Sequence, residues 1–348
     1  YIFIMKEVII SILISFLFTN SNVYSQNYIS EQTYKKKLEL IEKLKKLNKT
    51  SNIEVVGPIV VDNDSVIFFA DVKVVDNSKN VYPAGNLSKE NFSIYEIIDK
   101  QENKANILSL KPLNEVQEKV NISLILLLDK SLSMRTEKIE SAKKASLNIT
   151  EFFFKEKNAF LNYQVSILPF SQGVLYPGFS KNARWLSGKE ELRQAIKKIA
   201  TTPNDTLTEI WNATYFAMNM VSEKNGYNII VLLTDGEDNH SEKGMYQKVL
   251  NEAKSKKTLI YSIAYDTEKM FKKLQLLSEA SGAGTVNRGS FKNISPNEVP
   301  NIFKEIGANI ISSYRVVWLS TAKDTLTDVK ARIEVRYDGH KFVTERDY

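Results

Sequence analysis

Two near-continuous apolar runs, each closed by an aspartate, limit what this chain can fold into more than any other feature. The first, Ile122 to Leu128 broken only by Ser123, runs into Asp129-Lys130-Ser131-Leu132-Ser133-Met134. The second, Ile229 to Leu233, ends in Thr234-Asp235-Gly236-Glu237-Asp238. Short apolar runs bounded by polar turn residues read as buried strands, so two strands each deliver a carboxylate to one sheet edge. Thr208 stands between them in sequence, just before a helical pattern. Asp129 and Asp235 with the hydroxyls of Ser131, Ser133 and Thr208 are hard oxygen donors suited to a divalent cation, with room left for water or a partner's carboxylate. Such a set suits binding more than catalysis.

Residues 120 to 312 alternate strand and helix patterns. Strands are expected over 120–128, 163–170, 227–233 and 258–264, and helices over 137–154, 189–199, 210–221, 244–256, 269–280 and 297–312. This alternation predicts an α/β fold with a doubly wound, mostly parallel sheet. Ligands of such folds sit outside the carboxyl ends of the strands, near the switch in strand order, and both aspartate loops fall at such ends. From Ile53 to Leu113 the period is two, with Val66, Phe68, Ala70, Val72 and Val74 facing one way and polar or edge residues between them. Residues 314–319, 329–337 and 342–346 again read as strands, with Asp338-Gly339 as a hairpin turn. A small flanking β-sandwich-like domain built from the N- and C-terminal segments accounts for both. The expected organisation is a signal peptide over 1–25, a helical spacer over 26–52, β structure over 53–115, the α/β domain over 120–312 and β strands over 313–348.

Composition removes several function classes. The chain has 348 residues, 43% hydrophobic and 25% charged, which is ordinary for globular protein. The 47 basic and 41 acidic residues give a net charge of +6, too mild and too dispersed to make nucleic acid a partner. Cysteine is absent, so disulfides, thiolate nucleophiles and Cys-ligated zinc are excluded. After Met5, Lys6 and Glu7, the apolar run Val8 to Phe18 and the stretch ending Val23-Tyr24-Ser25 read as a cleaved signal peptide. The run is too short to span a bilayer, so export to a periplasmic, cell-surface or secreted location without a stable membrane span is expected. Tyr34, Leu38, Ile41, Leu44 and Leu47 predict an amphipathic helix within the Lys-rich stretch 31–49.

The spacing Asp129-x-Ser131-x-Ser133-Met134 after a buried strand, Thr208 ahead of Ile210-Trp211-Asn212-Ala213, and Leu233-Thr234-Asp235-Gly236 resembles the von Willebrand factor A (vWA) domain. Lys138-Ile139-Glu140-Ser141-Ala142-Lys143 is similar to that family's first helix, so the resemblance covers about 120–312. Gly85 to Glu96 and the last strands resemble the flanks of secreted bacterial proteins of the "VWFA-related" type. The family commonly has glycine where Leu132 stands and Gly-Gly where Thr206-Leu207 stand. The resemblance implies a metal-ion-dependent adhesion site. Ser131 and Ser133 would coordinate Mg²⁺ or Mn²⁺ directly, Thr208 directly or through water, and Asp129 and Asp235 largely through bound waters. It further implies cation-dependent binding of a protein or peptide that offers an acidic side chain, and a last helix around Ile302 to Ile311 that shifts with the metal's coordination.

Catalysis is not expected. No Gly-x-Ser-x-Gly elbow, phosphate-binding glycine loop, dinucleotide fingerprint or His-Glu-x-x-His pair occurs. The second carboxylate that a strand-end phosphoryl acceptor would have is replaced by Ser131. Glu237 and Asp238 read as loop solvation, and His240 as a bystander. The alternative function, from a different class, is a metal-independent scaffold subunit of an envelope or secretion assembly.

Overall fold

The computed structural model describes residues 52–62, 65–75, 81–155, 158–174, 185–255, 258–265, 268–284, 289–322 and 329–348. The expected signal peptide and the amphipathic helix lie outside them. In chain order come β1 (Asn52–Val56), β2 (Ile59–Asp62), β3 (Ser65–Val75), β4 (Val81–Pro83), β5 (Phe92–Ile98), β6 (Gln101–Ala105) and β7 (Ile107–Pro112). An alternating segment follows: β8 (Val120–Asp129), α1 (Glu137–Lys155), β9 (Leu161–Ser171), β10 (Gly173–Val174), α2 (Lys189–Lys197), α3 (Ile210–Ser222) and β11 (Tyr227–Thr234). It continues with α4 (Met245–Ser255), β12 (Thr258–Ala264), α5 (Glu268–Ser281), β13 (Ser290–Phe291) and α6 (Val299–Ser312). β14 (Tyr314–Leu319), β15 (Lys330–Tyr337) and β16 (His340–Asp347) close the chain.

The two apolar runs became the central pair of a sheet ordered β10-β9-β8-β11-β12-β13. β9, β8, β11, β12 and β13 run parallel and the short β10 is an antiparallel edge, as the strand and helix alternation predicts. β8 lacks polar alternation because both of its faces are covered. Leu124, Leu126 and Leu128 pack with Ile149 of α1, Ile196 of α2 and Phe303 of α6. Ile125 and Leu127 pack on the other face with Ala213 of α3, Val249 of α4 and Leu274 of α5. The chain leaves β8 for β9 on one side and returns to β11 on the other. The strand order therefore reverses between β8 and β11, where Leu128 lies in register with Leu233. In sheets of this kind that is where ligands bind.

The outer strands form two antiparallel sheets, one along β1-β3-β14-β7 with β2 and β4 also paired to β3, the other β16-β15-β5-β6. N- and C-terminal segments interleave: β14 lies between β3 and β7, and β15 pairs with β5. Phe68 and Val72 of β3, Ile94 of β5, Trp318 of β14 and Ile333 of β15 share one core, so the expected sandwich forms. One expectation needs correction. The residues between the inward-facing positions of β3 are buried as well: Ile67 and Phe69 join the α/β core, and Phe69 stacks on Tyr227 with ring centroids 4.6 Å apart. Asp71 and Lys73 form a buried ion pair at 3.1 Å, and the Lys73 ammonium donates to Asn309 Oδ1 of α6 at 2.8 Å. The sandwich is thus joined to the α/β sheet through the second face of one strand. The tight link between β1 and β2 requires Gly57, at φ +145°, since a Cβ there would stand 1.7 Å from the Phe69 carbonyl oxygen. β6 was not foreseen, because Gln-Glu-Asn-Lys has no apolar alternation. It follows a turn in which Asp99 and Lys100 both have positive φ, and pairs with β5.

Candidate metal centre

Parallel register places the carboxyl ends of β8 and β11 side by side, so the side chain closing each strand meets the other. Asp129 is completely buried. Its Oδ1 accepts the Ser131 backbone N–H at 2.8 Å, and its Oδ2 accepts the Thr234 hydroxyl at 2.6 Å. Ser131 Oγ is 3.1 Å from Ser133 Oγ, and Ser133 donates to Asp235 Oδ1 at 2.7 Å. The second oxygen of Asp235 pairs with the Lys138 ammonium at 2.6 Å. Thr208 reaches the same place: a methyl group at Gly236 would lie 3.8 Å from Thr208 Oγ1 and 4.0 Å from Asp129 Oδ2. All five residues singled out by sequence converge from three distant segments. Asp129, Ser131, Thr208 and Asp235 are buried, while Ser133 is exposed at the mouth.

Burial pushes the Asp129 carboxyl up to about 6, and the nearby Asp235 charge adds to the rise; bonds from Thr234 and Ser131 oppose it. The donor set is two carboxylates and three hydroxyls, all hard oxygen, which fits Mg²⁺ or Mn²⁺. Among the described residues no cluster of three or more His, Asp or Glu side chains offers a competing site.

Several residues that build the site gave no signal in the sequence. Asp205 is buried and fastens the Thr208 loop to β8 and β9. It pairs with the Lys130 ammonium, accepts the Ser171 hydroxyl at 2.7 Å and accepts the Thr202 N–H and hydroxyl, while its carbonyl accepts Leu132 N–H at 2.7 Å. Burial raises its proton affinity, but Lys130, Ser171 and Thr202 together outweigh burial and hold it below the ordinary carboxylate range. In the sequence it stands in Thr-Pro-Asn-Asp, which reads as turn chemistry alone. Asp205→Asn, which leaves Lys130 buried without its counter-charge, is expected to cost about 3 kcal/mol in urea unfolding and to loosen the loop that carries Thr208.

Asp238 is not loop solvation. Its Oδ2 accepts Trp211 N–H at 3.0 Å and the Ser241 hydroxyl, and its Oδ1 accepts Ser241 N–H. It satisfies the first turn of α3 from the neighbouring loop, so the Thr208 hydroxyl is not needed as a cap. Asn239 completes the stitching, with its Oδ1 accepting Thr208 N–H at 2.8 Å and its own N–H donating to Thr208 O. His240 is exposed, with its Nε2 3.7 Å from a Glu209 carboxylate oxygen.

A model of the von Willebrand factor type A domain matches residues 123–305. The match covers more than half of the chain, and the protein belongs to this family. No curated protein matches the sequence. Among solved structures, a von Willebrand factor type A protein from Catenulispora acidiphila is similar at 10% identity and a TM-score of 0.46, over 85% of this chain and 72% of that one. A mutant of the PilB minor pilin from Streptococcus sanguinis is similar at 12% identity and 0.45, over 76% and 79%. Proximal thread matrix protein 1 from the mussel byssus, with a zinc-occupied MIDAS motif, is similar at 19% identity and 0.42, over 56% and 49%. These are loose likenesses.

Proposed function

We propose that this is an exported protein whose vWA domain binds an acidic group on a protein or peptide partner through Mg²⁺ or Mn²⁺ held at the β8 and β11 strand ends. The observation that carries this reading is the continuous oxygen chain Ser131, Ser133, Asp235: Ser131 and Ser133 lie 3.1 Å apart, and Ser133 reaches Asp235, 102 positions away, at 2.7 Å. Ser131, Ser133 and Thr208 would hold the cation, with Asp129 and Asp235 acting largely through water. When bound, it supplies a positive centre with an unfilled coordination position for the partner's carboxylate, since neutral hydroxyl ligands cancel little of its charge. Asp129 serves the same end by fixing Ser131 through its backbone N–H, and Asp205 by fixing the loop that carries Thr208. Both Asp129 oxygens are already engaged and the group is buried, which argues against its use as a phosphoryl acceptor. Export is what the apolar run Val8 to Phe18 suggests; among the described residues no helix is long and apolar enough to cross a membrane.

A second reading, a metal-independent scaffold, draws on the Lys138 ion pair, which already neutralises Asp235. Calorimetric titration with Mg²⁺ and Mn²⁺ and a pull-down with and without EDTA separate the two. Saturable binding heat that disappears in Asp129→Ala, with partner capture lost in EDTA, is the expected result. Capture indifferent to chelation, with no heat from the unmutated protein, would favour the scaffold.

A further inference from the structure

We infer that Lys138 is a tethered counter-cation of the metal centre: its ammonium occupies Asp235 when no divalent ion is present and competes with the ion for that carboxylate. This rests on the metal reading above and concerns what sets the affinity of that site.

The geometry is specific. Lys138 stands in the first turn of α1, and its Nζ lies 2.6 Å from Asp235 Oδ2. The Asp235 side chain is fully buried, whereas that of Lys138 is 30% exposed, so the ammonium has a path to solvent that the carboxylate lacks. The other Asp235 oxygen is taken by Ser133, and Lys138 therefore supplies the cationic partner of a buried charge whose isolation would be costly. The chain reaches this position through a strained turn. Thr136 adopts φ +64°, a conformation costly for a β-branched residue, and α1 starts immediately afterwards. A resting place for the displaced ammonium is also present: the Tyr265 ring centroid is 5.7 Å from Nζ, and the Tyr265 hydroxyl donates to the Lys138 carbonyl at 3.3 Å, which holds the ring beside this turn of α1. Burial keeps Tyr265 protonated and neutral, so the ring face can take the cation without forming a new ion pair.

Two positive charges cannot share one buried carboxylate without repulsion. A divalent ion entering beside Asp235 must therefore displace Lys138 or bind against its charge. Either way the lysine lowers affinity for the ion while keeping the cation-free site assembled.

The test is Mg²⁺ and Mn²⁺ titration calorimetry with melting curves in EDTA, on the full chain, for the unmutated protein, Lys138→Gln and Lys138→Met. Gln retains a donor for Asp235 without charge, and Met removes both. The expected result is cation affinity about tenfold or more higher in both variants, the order expected when a like charge is removed from beside a cation in a partly buried site. The variants' melting temperature in EDTA should also fall, with saturating Mg²⁺ restoring it. Binding in the variants but not in the unmutated protein would be the same effect in its extreme form. Unmutated protein that binds, with variants equal or weaker, would overturn the role of Lys138 while leaving the metal site standing. No binding by any of the three would overturn the metal reading, and this inference with it.

Discussion

Asp129→Asn is expected to make the cation-free protein more stable by about 3 kcal/mol at pH 7 while abolishing its binding of divalent cations. Asp129 is wholly buried, and its carboxyl titrates at about 6 because burial disfavours the charge. The folded state therefore holds this proton more tightly than the unfolded chain, where an aspartate titrates near 3.8. Stability from this group is full below the unfolded value and is lost as pH rises from about 4 to about 6; above that, the protein carries the whole cost of a buried charge. Asn is isosteric: its oxygen can accept the Ser131 N–H and its amide can donate to Thr234, so packing and hydrogen bonds survive. The advantage over the unmutated protein should shrink to nothing near pH 4, a signature that generic stabilisation lacks. Urea unfolding at pH 4, 5.5 and 7 measures it, and a variant less stable than its parent at pH 7 would contradict the account. The same protonation would give the proposed cation binding a pH dependence. A cation that needs the ionised carboxylate competes with the proton, so Mg²⁺ affinity should fall as pH drops through about 6.

Glu96→Ala is expected to destabilise the protein by on the order of 4 kcal/mol. Glu96 is completely buried in β5 and collects four donors from the far end of the chain. Trp318 donates its indole N–H at 2.9 Å, Thr321 its N–H and hydroxyl, and Tyr348 its phenol. Burial raises its proton affinity, but the Thr321, Tyr348 and Trp318 bonds outweigh burial and hold the carboxyl below its ordinary value. This contribution is thus present above the ordinary glutamate range and is lost as pH falls through the lower folded value. Alanine would orphan the indole N–H inside the core and leave the Tyr348 phenol and the Thr321 donors without this acceptor. Glu96→Gln, which keeps one acceptor, should cost about half as much. Unfolding within about 1 kcal/mol of the parent for the alanine variant would show that the network is dispensable. Because the α/β sheet retains its own core, the metal centre of Glu96→Gln should bind cation normally at low temperature.

The family's implied shift of the last helix meets a specific obstacle here. α6 is fastened to β3 through Lys73 and Asn309, and the hydroxyls of Ser313 and Tyr227 are 3.3 Å apart. Gly307 sits where a Cβ would be 3.2 Å from Phe152 and 3.3 Å from Ile149. Any displacement of α6 therefore involves the sandwich as well as α1.

Much of this protein was legible in one dimension, and what was legible has a common cause. Apolar runs such as 122–128 and 229–233, and the helical spacing of residues such as Ile139, Ala142, Ala145 and Ile149, record burial that local geometry alone imposes. That Asp129 and Asp235 stand at neighbouring strand ends was legible too, because each follows directly on a buried run; Thr208, ahead of α3, entered the candidate set through the family resemblance. Tertiary structure decided the rest. Nothing near Asp205 announces that it pairs with Lys130 and carries the Thr208 loop, and nothing near Lys138 announces Asp235. Nor does the Asp71 and Lys73 pair, in a strand that looks half exposed, show that its second face is an interface. A charged side chain's local sequence says only that it prefers water. Whether it is instead buried depends on which opposite charge the fold brings within a few ångströms, and that partner lies far away along the chain.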